Sequence, residues 1–129
     1  MTTTGFVVVD KPAGYTSHDV VAKLRGAFDQ KRVGHAGTLD PDATGVLVIG
    51  LGRATRLMQY LVSANKVYQA VVEFGYSTTT YDGAGEPVDY GATEIGRVDI
   101  ERALQSFVGE IEQIPPMVSA IKMGGEKLY

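Results

Sequence analysis

A chain of 129 residues, 44% apolar and 21% charged, has the composition of one globular domain with a sizeable core, which excludes a disordered or fibrous protein. With no cysteine and only two histidines, a disulfide framework and a thiolate metal site are excluded, and no structural metal is expected. The net charge of -3 argues against a uniformly basic nucleic-acid binder, and no apolar run approaches the roughly 20 residues that cross a bilayer, so a soluble, cytoplasmic protein with no membrane contact is expected.

In chain order, Phe6-Val7-Val8-Val9 is a β-branched run that ends at Asp10-Lys11-Pro12. Proline has no ladder donor there, and the run predicts a strand leading into a loop. Ser17 precedes Val20, Val21, Leu24 and Phe28 at helical spacing, with Asp19 in the first turn, which predicts a helix of about three turns opening at Ser17. Residues 33–41 are turn-like. Val46-Leu47-Val48-Ile49 is a buried-strand run closed by Gly50 and Gly52, so Asp40 falls in a loop entering a strand.

Ala54, Leu57, Met58, Leu61 and Val62 recur at helical spacing, and residues 67–74 alternate like a long strand with Tyr68, Ala70, Val72 and Phe74 on one face. Residues 75–97 lack strong periodicity. Asp99 reads as the N-cap of a helix buried through Ile100, Ala103, Leu104 and Phe107 and ended by Gly109. Ile114-Pro115-Pro116-Met117 must be extended, because each proline restricts its predecessor, and the apolar pair after Gly124-Gly125 suggests a last strand. Without regular βαβ crossovers the expected class is α+β: a mixed, largely antiparallel sheet flanked by helices.

Charge is unevenly placed. Residues 1–72 carry eight Lys/Arg against five Asp/Glu, whereas residues 73–129 carry four against ten. Lys23, Arg25, Lys31, Arg32, Arg53, Arg56 and Lys66 bracket the Gly-rich stretch 34–52, where a phosphate backbone would be attracted; by charge alone an ordinary solvated surface explains them equally well. Within the stretch, Gly34-His35-Ala36-Gly37-Thr38-Leu39-Asp40-Pro41-Asp42-Ala43-Thr44-Gly45 presents a carboxylate from a loop stiffened by Pro41. Such an Asp is a candidate nucleophile, although spacing alone describes a turn or cap residue as well.

That string resembles the signature of the TruB family of pseudouridine synthases, and further blocks resemble the family's motifs in the same order. They are Asp10-Lys11-Pro12-Ala13-Gly14-Tyr15-Thr16-Ser17, Lys66-Val67-Tyr68, Gly75 with Thr78, Thr80 and Asp82, and residues 115–122. The resemblance implies isomerisation of uridine to pseudouridine in RNA, in bacterial members at uridine 55 of the tRNA T loop, with no cofactor, no obligatory protein partner and a monomeric enzyme. It places the indispensable carboxylate on Asp40. Because a base in a structured loop must leave its stack to react, it implies that Tyr68 stacks on the flipped uracil and that His35 contacts the substrate loop. Lys66, with Arg53 and Arg56, is expected near phosphates. Lys11 and Pro12 are expected to shape the loop beneath Asp40, Ser119 and Lys122 to be structural, and Thr78, Thr80 and Asp82 to form a strand-to-turn network.

The resemblance also implies that residues 1–129 are the N-terminal part of a catalytic domain whose continuation carries an arginine partner for the Asp, and that a C-terminal RNA-binding domain lies outside the chain. Two alternatives stay open: a non-catalytic RNA-binding or RNA-folding module, indifferent to loss of the Asp40 carboxylate, and a guide-RNA-dependent synthase subunit. For the latter, basic extensions before Gly5 are expected, and only four residues precede it.

Overall fold

The computed structural model describes residues 2–113, 119–123 and 126–128, with the backbone alone beyond residue 113. It comprises two compact units, Met1–Tyr68 and Gln69–Tyr129. The class is α+β, and every described strand pair is antiparallel.

The first unit contains β1 (Gly5–Lys11), α1 (Ser17–Ala27), β2 (Val33–Ala36), β3 (Gly45–Leu51), a 3₁₀ turn (Gly52–Leu57) and α2 (Met58–Val62). Its sheet has the order β1-β3-β2, with Val7 opposite Ile49, Asp10 opposite Val46 and His35 opposite Ile49. Period-two alternation sorts the side chains by face. Val7, Val9, Leu47, Ile49 and Leu51 turn toward the core, where Val20, Val21, Leu24 and Phe28 of the α1 segment meet them. Ile49 is 0% exposed.

Gly50 lies on the opposite face. A Cβ there would fall 2.8 Å from Met58 Sδ and 3.1 Å from the Thr55 backbone, so the 3₁₀ turn and the start of α2 press closely against the sheet at Gly50, and a larger residue would make them shift. On the same face Phe6, Val8 and Val46 are exposed, while Val48 is half-buried.

Helix α1 opens at Ser17 as expected, with Thr16 as its N-cap: Thr16 and Asp19 form a reciprocal capping box, because the Thr16 side chain reaches the Asp19 backbone N–H and the Asp19 carboxylate accepts from Thr16 N. The hydrogen bonds from Thr16, its hydroxyl first and its backbone N–H second, hold the Asp19 carboxyl below the usual aspartate value. Residues 33–36, expected to be a turn, form β2, since pairing with β3 overrides the weak strand propensity of Gly34 and His35. The first turn after β3 is 3₁₀, and the α-helix begins only at Met58.

The second unit has a hairpin of β4 (Tyr76–Thr78) and β5 (Pro87–Tyr90), α3 (Arg97–Gln105), and a hairpin of β6 (Ser119–Met123) and β7 (Glu126–Leu128). The last strand after Gly124-Gly125 is as expected, while the extended stretch 114–117 lies outside the described residues. The Thr78-Thr80-Asp82 network is present: Thr78 Oγ1 donates to Asp82 O at 2.7 Å and Thr80 Oγ1 to the Asp82 carboxylate at 2.7 Å, with Ala84 N donating to the same carboxylate. The bonds to the carboxylate, led by that from Thr80 and followed by that from Ala84 N, depress the Asp82 carboxyl.

Two expectations fail here. Residues 67–74 form no strand, and Val67 and Val71 are 99% and 97% exposed. Alternation gives a strand only where another strand accepts its hydrogen bonds, and no described strand pairs with this segment. Helix α3 is capped by Gly96, with Asp99 in its first turn, and ends at Gln105 before reaching Gly109. None of its residues is buried, because no described element of its unit packs closely on its apolar side.

Candidate active site

Asp40 sits in the loop joining β2 to β3, and the motif at the end of β1 holds that loop from both sides. On the N-terminal side, Leu39 N donates to Ser17 Oγ at 3.0 Å, and Ser17 Oγ donates back to Leu39 O at 3.3 Å. On the C-terminal side, the Pro41 carbonyl accepts from Lys11 Nζ at 2.9 Å and from Gly14 N at 2.9 Å. Ala43 N donates to Asp40 O at 3.1 Å and closes the turn. The bonds flank the carboxylate and leave it exposed and unengaged among the described residues.

Lys11 explains how this clamp is built. Its inward direction follows from the alternation of β1, and it is 0% exposed. A buried ammonium needs hydrogen-bond acceptors. Lys11 Nζ finds three carbonyls, donating to Pro12 O, Tyr15 O and Pro41 O, and so uses all three of its donors. The side chain therefore ties the 12–15 turn to the residue immediately after Asp40. Across that turn the Lys23 ammonium lies 4.8 Å from the Tyr15 ring centroid, a cation–π contact on the same face of α1.

His35 and Lys66 are brought together at Gly37. His35 Nδ1 donates to Gly37 O at 2.7 Å, and a Cβ at Gly37 would lie 3.7 Å from Lys66 Cε. Gly37 has φ +80, which favours glycine and turns the chain from β2 into the Asp40 loop. Lys66 Nζ donates to Val62 O at 2.7 Å and Ala64 O at 3.1 Å, closing the C-terminal end of α2. Two residues later Tyr68 is exposed, on a segment without secondary structure. Arg53 and Arg56 are exposed on the 3₁₀ turn and take part in no ion pair among the described residues.

Sequence reasoning anticipated Lys11 as a loop-shaping residue, gave Ser17 no part in holding Asp40, and passed over His18. The ring of His18 stands 5.2 Å from that of His35. A lone histidine on a helix carries no periodic signal, so only the packing of α1 on β2 could have found it. Among the described residues no group of three or more His, Asp or Glu side chains is placed to hold a metal ion, and no helix is long and apolar enough to cross a membrane.

Comparison with known proteins shows the family. Residues 25–129 match the TruB family pseudouridylate synthase N-terminal domain. The chain is 51% identical over 126 residues to a tRNA pseudouridine synthase B of Streptococcus thermophilus, covering 97% of this chain and 43% of the relative. It is 53% identical over 127 residues to the protein of the same name from Bacillus anthracis, again covering 97% of this chain but 41% of the relative. The chain thus spans about two-fifths of the length of these relatives. Among solved structures, a chain of a Cbf5-Nop10-Gar1 complex superposes with a TM-score of 0.61 at 31% identity, covering 92% of this chain and 31% of that one. With most of its length matched by the family model and more than half of its residues shared with these relatives over nearly the whole chain, the chain belongs to the TruB family of pseudouridylate synthases.

Proposed function

We propose that residues 1–129 are the N-terminal part of the catalytic domain of a tRNA pseudouridine synthase, which converts uridine 55 of the T loop to pseudouridine in the cytoplasm as a monomer. The observation that carries this reading is the Asp40 loop, pinned at Leu39 and Pro41 while the carboxylate between them faces solvent. The reaction breaks the bond between C1′ and N1 of the uracil, turns the base and joins C1′ to C5; the proton lost from C5 is balanced by one taken up at N1, so the product is an isomer of the substrate. Attack on C1′, addition to the base and removal of a ribose proton all need a carboxylate fixed beside the nucleotide, and fixed presentation is what the loop supports.

In this reading Tyr68 is the aromatic face for the flipped uracil, consistent with its exposure, and His35 contacts the RNA loop vacated by that base. Two Lys66 donors are used by α2 carbonyls, which leaves the third for a phosphate while the side chain keeps the Tyr68 segment close to Gly37. The names of the bacterial relatives, at 51% and 53% identity, favour a tRNA substrate, and that identity exceeds the 31% to the chain from the Cbf5-Nop10-Gar1 complex.

The test is pseudouridine formation in a tRNA transcript by the parent chain and by Asp40→Asn, with the Bacillus anthracis relative as control. Conversion by the parent and none by the variant is expected. Equal conversion by both removes Asp40 from the chemistry. Silence from both, with RNA bound and the control active, moves the same comparison to a chain extended through the continuation that supplies the arginine, where renewed silence assigns the protein to binding without catalysis.

A further inference from the structure

We propose that His18 is a positioning residue for His35, holding that imidazole in one ring orientation for its contact with RNA. The two rings meet edge to face, with centroids 5.2 Å apart and planes at 82°. His35 lies opposite Ile49 in the β2–β3 register, so its side chain projects from the sheet face that α1 covers. His18 is the second residue of α1, directly after the serine that holds Leu39. Neighbouring positions at one helix end therefore reach two parts of the site, Ser17 the Asp40 loop and His18 the imidazole of β2.

The ring needs this second contact. A carbonyl oxygen only accepts, so the 2.7 Å contact between His35 Nδ1 and Gly37 O places a hydrogen on Nδ1, and the neutral ring presents a bare Nε2 acceptor. Rotation about the last side-chain torsion is broad and roughly two-fold, and a half-turn would direct a C–H at Gly37 O and carry Nε2 away from its position. One hydrogen bond at a half-buried strand end resists that rotation weakly, whereas an aromatic edge packed at right angles adds a steric stop. Helix α1 does not require His18 for its own sake: Thr16 and Asp19 cap it, Val20 and Val21 bury it, and His18 is exposed.

Only the use of His35 in RNA contact rests on the proposed function, and the experiment separates the two parts. Imidazole ¹⁵N spectra of the parent chain, His18→Ala and His18→Phe, recorded with both histidines neutral, report which nitrogen of His35 carries the proton. The parent is expected to show the Nδ1–H form, His18→Ala a mixture of tautomers, and His18→Phe a return toward the parent, because phenyl retains the packed edge. Affinity for a T-loop stem-loop is expected to fall about threefold to tenfold in His18→Ala and to recover in His18→Phe. An unchanged His35 tautomer in His18→Ala overturns the positioning role, and a changed tautomer with unchanged affinity overturns its link to RNA. No RNA binding by the parent counts against the proposed function, while the spectra still decide the ring orientation.

Discussion

The two units contrast in how they use apolar residues. The first buries Val20, Val21, Val33, Leu47, Ile49 and Leu51 between a sheet and a helix. In the second, Val71, Val72, Phe74, Tyr90, Leu104 and Phe107 all face solvent, and its one buried polar side chain among the described residues, Thr78, is held by the turn network. Both have amphipathic patterns. Pattern creates a face, but burial requires a second face to meet it, and only the first unit contains that partner within its own described elements. The site residues Lys11, Ser17, His35, Asp40, Lys66 and Tyr68 all belong to the first unit, where loop geometry is anchored to a packed sheet.

The contrast breaks most visibly on truncating equivalent apolar side chains. Ile49→Ala should destabilise the first unit by about 2–5 kcal/mol, because a fully buried side chain leaves a cavity. Leu104→Ala, on the exposed side of α3, should change stability by less than about 0.5 kcal/mol. Urea unfolding followed by amide exchange in each unit measures both, and a large effect from Leu104→Ala would show that α3 is packed in solution. Next in size, Lys11→Met keeps much of the side-chain volume but leaves three carbonyls without their donor, and should cost about 1–3 kcal/mol. Faster exchange at Gly14 N–H, which shares the Pro41 carbonyl, would locate the damage at the Asp40 loop.

The smallest effect concerns what the units share, a carboxylate stabilised by local hydrogen bonds. Asp19 in the first unit and Asp82 in the second are both depressed below the ordinary 3.8. A depressed carboxylate contributes stability that is fully present above its unfolded-state value and is lost as pH falls through the lower folded-state value. The stability differences between the parent and Asp19→Asn or Asp82→Asn should therefore be constant near neutrality and shrink below about pH 3.8. Titration of each variant by denaturant melts across that range would expose any difference between the units.

Much of this arrangement was legible in the residues. The β1 run, the α1 spacing and the β3 run each combine a strong period with a clear stop, and each element formed where its pattern lies. Asp40 was legible as a loop carboxylate, and Lys11 as a residue shaping that loop. Strand β2 was not, because Gly34 and His35 carry little strand preference and are held by β3 across the sheet. The alternating segment 67–74 misled in the other direction, having the pattern of a strand and no described ladder.

By itself the sequence determined the α+β class, the places of β1, α1 and β3 and the family-bearing motifs, because hydrophobic period, turn residues and motif order are properties of neighbours along the chain. Only the tertiary structure decided that Lys11 would meet Pro41 thirty residues away, that Ser17 would hold Leu39 and that His18 would stand against His35. Those contacts join segments whose approach is set by the β1-β3-β2 register and by α1 lying across one face of that sheet, and neither is written in local spacing.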